Sequence, residues 1–277
     1  MKVSWRIWKG VEAQAFEPDA QTREAILFCP GFPGMGGTVF EQRHAAAFAE
    51  LGYAVYVIKH KGTKLSGALA PVMVNNGARM MQARERGETH LGGGAATIDE
   101  WLTEPLEALR QLDGAYDKIH IIGNSFGALA ALWSMTESGA PIGKVEHVIL
   151  YAGAQGIDDG TEDGIMRLWK PEYLMVARIT EKVTLNNAFD VVDGLKKMYG
   201  LLPARAAALP EKVKISYVVV ERDELLRLSD TQKFDAAIGA RGTIIMDDYD
   251  VAWPGHGYLA HDTPEYKTED LLKVIRG

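Results

Sequence analysis

Six short runs of apolar and β-branched residues recur along the chain and constrain its fold more than any other feature: AILFC (25–29), YAVYVI (53–58), KIHIIG (118–123), HVILYAG (147–153), KISYVVV (214–220) and GTIIMD (242–247). Most are apolar on both faces. A strand with one wet face alternates polar and apolar residues. An unbroken apolar run suits a strand covered by helices on both sides, the usual state of a parallel sheet. Helix-like segments lie between the runs, at 40–51, 97–112, 126–137, 232–238 and 267–275. That alternation of strand and helix predicts a doubly wound α/β fold. The first two pieces, VSWRIW (3–8) and VEAQAF (11–16), alternate instead and are expected to form a hairpin at the sheet edge.

Two connections are longer than a packed domain needs. One, 59–96, contains the glycine-rich, charged stretch GARMMQARERGETHLGGG. The other, 154–212, carries two helical patterns, IMRLWKPEYLMVARI and FDVVDGLKKMYGLL, and lies between two sheet strands. It reads as a helical cap inserted into a core domain made of 1–153 and 213–277. With 277 residues and 47% hydrophobic content, the chain can bury a core of that size.

The net charge of −7 argues against a nucleic acid or an anionic membrane surface as partner and suits a soluble protein acting on a small molecule. Cys29 is the single cysteine, so no intrachain disulfide can form. The opening MKVSWRIWKGVEAQAF has no apolar core of a secretion signal, and no apolar run reaches the roughly 18 residues of a membrane span. A cytoplasmic location is the expectation. No histidine or acid cluster has metal-ligand spacing, so neither a metal nor an organic cofactor is expected. The oligomeric state is left open, a homodimer included.

Residues 121–128 read IIGNSFGA, with Gly123 and Gly127 two places to either side of Ser125. At this serine and glycine content, chance supplies about 0.08 such G-x-S-x-G matches, so context has to decide. A strand run, KIHII, precedes the serine and a helix rich in small residues, FGALAALWSM, follows it. This is the strand-turn-helix setting of a nucleophile elbow. Glycines at both flanks clear space where strand and helix meet around a strained serine; a helix N-cap would account for Ser125 but for neither glycine.

A serine hydroxyl is a weak nucleophile without a base, and the base needs a third group to orient it. Of seven histidines, His44, His60 and His90 precede the elbow, and His120 and His147 fall in strand runs and read as packing or surface residues. His256, in the loop AWPGHGYLAH between the last strand and the last helix, is favoured as the base over His261, which reads as part of the helix entry. For the acid, KISYVVV runs directly into ERDELL. Asp223 lies just beyond the strand end, Glu221 reads as still on the strand and Glu224 as the start of the next turn. Asp158 and Asp159 are the alternative acids.

The order Ser125, Asp223, His256 is that of α/β-hydrolase triads. The sequence resembles the α/β-hydrolase superfamily, as a capped, serine-esterase-like member, across nearly its whole length. CPGFPG (29–34) is similar to the family's HG-x-x-G oxyanion segment, with Pro30 where histidine is usual. HKGTKLS (60–66) resembles a degenerate RGxGxS segment with Lys64 in place of a glycine, VVVERDELL the acid loop and WPGHG the histidine loop. The resemblance implies that Ser125 attacks a carbonyl carbon, His256 accepts and returns the proton, and Asp223 orients the imidazole. It implies an oxyanion hole of the backbone N–H groups of Phe126 and Phe32. Cys29 adjoins that loop without a paired base and reads as a buried small residue rather than a nucleophile.

Within the expected cap, Met166 and Trp169, with Leu168, Tyr173, Leu174 and Met175, would form an apolar lid suited to an acyl chain or an aromatic acid. Apolar residues at helical spacing describe ordinary packing equally well. By analogy at the level of fold, a carboxylic ester is the first substrate class, hydrolysed through an acyl-enzyme. A capped serine peptidase or amidase comes second, with Glu162 or Glu172 to hold a substrate amino group. A carbon–carbon bond hydrolase of diketones comes third, and a non-catalytic ligand receptor stands apart as a different class. A haloalkane dehalogenase would need aspartate where this chain has serine.

Overall fold

Each of the six apolar runs is a strand in the computed structural model, which describes residues 1–9, 11–31, 39–60, 97–157, 188–221, 223, 225–247 and 268–276. They are β3 (Glu24–Cys29), β4 (Ala54–Lys59), β5 (Lys118–Asn124), β6 (Val145–Tyr151), β7 (Lys214–Val220) and β8 (Thr243–Asp247). Every contact among these six is parallel. The alternating N-terminal pieces are β1 (Lys2–Trp8) and β2 (Val11–Glu17), an antiparallel hairpin whose inner strand pairs antiparallel with β4. The sheet order is β1-β2-β4-β3-β5-β6-β7-β8.

Successive strand residues point to opposite faces, and both faces here are buried. Ile121, Val148, Leu150, Ile215 and Tyr217 join one apolar cluster, while Ile122, Ile149, Tyr151, Val218 and Val220 join the other. Helices α2 (Ile98–Asp113), α3 (Phe126–Met135), α4 (Ala188–Ala207) and α5 (Leu228–Ala237) contribute to the first. Helices α1 (Val39–Glu50) and α6 (Thr268–Arg276) cover the second. The doubly wound sheet expected from the sequence is therefore present, with the hairpin at its edge. No described helix is long and apolar enough to cross a membrane.

The sequence of α2 shows why it starts where it does. In Thr97-Ile-Asp-Glu100 the Glu100 N–H donates to Thr97 Oγ1 at 3.2 Å and the Thr97 N–H donates to Glu100 Oε2 at 2.8 Å. This reciprocal pair satisfies two donors that a helix start leaves exposed.

The position of α4 revises the expected domain division. Its Leu195, Met198, Tyr199, Leu202 and Ala206 are buried in the same cluster as α2 and α3. A Cβ on Gly194 would come within 2.7 Å of the Ile98 side chain at the start of α2. Arg205 Nε donates to Thr136 Oγ1 at 2.9 Å, its Nη2 lies 2.9 Å from Glu137, and its guanidinium sits 3.7 Å over the Trp133 ring. Helix α4 thus belongs to the helical layer on the sheet, although it falls inside the stretch 154–212 assigned to the cap. Residues 154–157 also pack there, beside α3 and α5. Only 158–187 remain as candidate cap, and they lie outside the described residues.

Candidate active site

Ser125 occupies the sharp turn between β5 and α3. Its backbone stands at φ 50° and ψ −117°, a conformation that costs a non-glycine residue on the order of 1–3 kcal/mol. The neighbourhood holds it there. The Ser125 N–H donates to the Tyr151 carbonyl at 2.9 Å, and the Ser125 carbonyl accepts from the N–H groups of Ala128 at 3.1 Å and Ala154 at 2.9 Å.

Both flanking glycines are required by close approach. A Cβ on Gly123 would lie 2.5 Å from Ala128 Cα, where strand and helix cross. A Cβ on Gly127 would lie 1.9 Å from the Cys29 carbonyl oxygen and 2.6 Å from that of Pro30. The second glycine therefore makes room for the neighbouring loop at the end of β3, where the sequence reading expected a strand-helix collision. Helix α3 carries Ala128, Ala130 and Ala131, all buried, and lies close to the sheet. Phe126 is its first residue, so its N–H is one of the four that a helix start directs out of its amino end.

Asp223 lies three residues past the end of β7 and is 6% exposed. Its N–H donates to the Val220 carbonyl at 3.1 Å, and its Oδ1 accepts the N–H groups of Leu225 and Leu226, both at 2.9 Å. These bonds fix the carboxylate in a local turn. Glu221 was expected on the strand, but β7 ends at Val220 and Glu221 is an exposed turn residue. The reason is local: the chain turns at once to close the Asp223 bond to Val220.

The strand order sets the relation between the two groups. Ser125 and Asp223 lie at the carboxyl edge of the sheet, just past β5 and β7, with β6 between them. Strands spaced about 4.8 Å apart put them on the order of 10 Å from each other, a gap that one imidazole-bearing side chain can bridge. Of the other expected site residues, His256, Phe32, Trp169 and Met166 lie outside the described residues, as do His261, Asp158 and Asp159. Cys29 is fully buried, and burial pushes its thiol pKa up.

A cluster behind the elbow has no counterpart in the sequence reading. His60 follows β4 and is 1% exposed; its Nδ1 contacts the Glu104 carboxylate of α2. The His60 ring stacks on Trp101 at 5.1 Å and meets Phe126 edge-on at 5.6 Å. One signal was readable: Glu104 sits between Trp101 and Ala108 on a helix face otherwise apolar. On the other face of the sheet, Glu12, Gln14, Lys59, Gln42 and His44 form a second buried polar group beneath α1. Gln42 Nε2 donates to Gln14 Oε1 at 2.7 Å. Burial pushes Lys59 down to about 7 against the opposing pull of Glu12, and His44 down to about 3. Among the described residues no group of three or more His, Cys, Asp or Glu could hold a metal ion.

No protein-family model matches the sequence, and no curated protein matches it. Solved structures do resemble the fold. A structure from work on carboxylesterases of Nitrososphaera gargenis superposes with a TM-score of 0.61 at 12% identity, over 96% of this chain and 93% of that one. An esterase from Exiguobacterium antarcticum gives 0.59 at 14% identity, covering 96% of each chain. An enol-lactonase from Burkholderia xenovorans gives 0.55 at 12% identity, covering 99% of this chain and 100% of its own. At such identities the likeness establishes the fold: the chain has the α/β-hydrolase fold.

Proposed function

We propose that this protein is a serine hydrolase of carboxylic esters. The observation that carries the reading is the Ser125 turn: a non-glycine residue held at φ 50° between a buried strand and a buried helix, with Gly123 and Gly127 packed so closely that neither tolerates a Cβ. A non-glycine residue in such a conformation persists only where its surroundings hold it, and such residues cluster at sites of function.

In this mechanism His256 removes the Ser125 proton as Oγ attacks the ester carbonyl. The tetrahedral oxyanion is held by the N–H groups of Phe126 and Phe32. Collapse expels the alcohol, which takes the proton from His256, and leaves an acyl-enzyme. Water, deprotonated by the same imidazole, then releases the acid and restores the serine. Asp223, already immobilised by two backbone donors on Oδ1, orients the imidazole and stabilises its cation. Met166 and Trp169, within the stretch expected as a cap, would contact the acyl group. The fold neighbours named above include two esterase structures and an enol-lactonase; a lactone is an internal ester and undergoes the same acyl transfer.

The test is hydrolysis of a short p-nitrophenyl ester. Ser125→Ala is expected to lower kcat by about 10⁴-fold or more with the circular dichroism unchanged. Full activity in that variant would overturn the assignment. Comparing His256→Ala with His261→Ala identifies the base, and loss in the second alone would transfer the role to His261.

A further inference from the structure

His60 and Glu104 are distant in sequence, on a strand end and on α2, yet they meet directly behind the serine turn. Both side chains are almost completely buried, 0% and 5% exposed. Three rings close a triangle over them: His60 stacks on Trp101 at 5.1 Å and 25°, meets Phe126 at 5.6 Å and 71°, and Trp101 meets Phe126 at 5.7 Å and 64°. Phe126 is the residue next to Ser125 whose N–H the mechanism uses.

We propose that His60 and Glu104 are a positioning pair that holds the Phe126 arm of the oxyanion hole from beneath, through the Phe126 ring. This rests on the reading of Ser125 as the nucleophile. A buried carboxylate-imidazole contact carries a desolvation cost that an apolar pair of the same volume would not, so stability alone gives no reason for it. What it supplies is direction. The hydrogen bond fixes the plane of the imidazole, the imidazole fixes the Phe126 ring at an edge-on angle, and the ring fixes the first peptide of α3, where the donor must point. Oxyanion donors act only if they are aimed before charge develops.

The decisive variant is the double substitution His60→Phe, Glu104→Leu, which keeps the stacked ring, fills the volume and removes both members of the contact together. It is expected to melt at or above the wild-type temperature and yet to lose kcat by about 10-fold to 100-fold, with KM changed by less than about threefold. A boronic acid, whose boron accepts the Ser125 oxygen to form a tetrahedral adduct, should lose affinity in parallel. Glu104→Gln, which retains an acceptor for His60, should recover kcat to within about threefold of wild type. A double variant with wild-type kcat and boronate affinity overturns the proposal, as does a loss of kcat confined to the unfolded fraction counted by fluorophosphonate titration. If the wild-type protein takes no fluorophosphonate on Ser125, the nucleophile reading fails and the positioning pair falls with it. Labelling of Ser125 together with a fully active double variant removes the positioning pair alone.

Discussion

The two edges of the one sheet treat buried polar groups in opposite ways. At the carboxyl edge, His60 is bound to Glu104 against two aromatic rings, Asp223 is held by two backbone donors, and Ser125 stands in a strained conformation on a crowded turn. At the amino edge, His120 and His147 lie side by side in register on β5 and β6, and His147 Nε2 meets Ser216 Oγ at 2.8 Å. Burial pushes His147 down to about 4, helped by the neighbouring His120 and Lys214; it lowers His120 as well. The same strands thus bury a carboxylate–imidazole contact and a crowded serine turn at one end and two adjacent histidines at the other, in keeping with ligand binding outside the carboxyl ends of parallel strands.

The contrast is most easily broken through glycine. Gly127→Ala at the carboxyl edge drives a Cβ into the Cys29 backbone carbonyl, which has no room to yield, and should cost about 3 kcal/mol. Gly143→Ala, in the turn before β6 at the amino edge, meets nothing within 4 Å and should change stability by less than about 0.5 kcal/mol. Urea unfolding of both measures the difference, and equal midpoints would remove the claim that the two edges differ in packing.

Next in size is pH. An unfolded histidine titrates near 6.5, whereas folded His147 titrates near 4, so between these values the unfolded chain binds the extra proton. The stability that neutral His147 contributes is complete above about pH 6.5 and is lost as pH falls toward 4. The urea midpoint should fall through that window, less steeply in His147→Gln; an unchanged slope would show that His147 is not a source of it.

Smaller still is the release of strain at the nucleophile. Ser125→Gly should raise stability by about 1 kcal/mol, since glycine tolerates φ 50°, while abolishing hydrolysis. A destabilised variant would mean that the turn is not strained. The smallest effect is expected at Arg23 and Asp117, an exposed two-pronged ion pair at the amino edge with Nη2 to Oδ1 at 2.8 Å. Asp117→Asn should shift the melting temperature slightly at low salt and not at high salt; a shift that survives high salt would show a packing role.

The strands were legible because a strand buried on both faces has to be apolar throughout, and β7 begins and ends at the residues read from KISYVVV. The helix over 188–207 was legible as a helix and misassigned as cap. Its apolar stripe shows that one face is covered and says nothing of what covers it. Leu195, Met198 and Leu202 pack on the sheet's own helical layer. Within the site, Ser125 and Asp223 stood out because each follows directly from a strand end. The His60–Glu104 pair did not, since its members are 44 residues apart and only the sheet order brings the end of β4 beside α2.

By itself the sequence determined the alternation of strand and helix, the serine turn with its two glycines, and the strand-end aspartate, because each depends on neighbours within a few residues. The tertiary structure alone decided which loop Gly127 must admit, which layer holds α4, and which acid meets His60. Those depend on the lateral order of strands, and local spacing carries no record of that order.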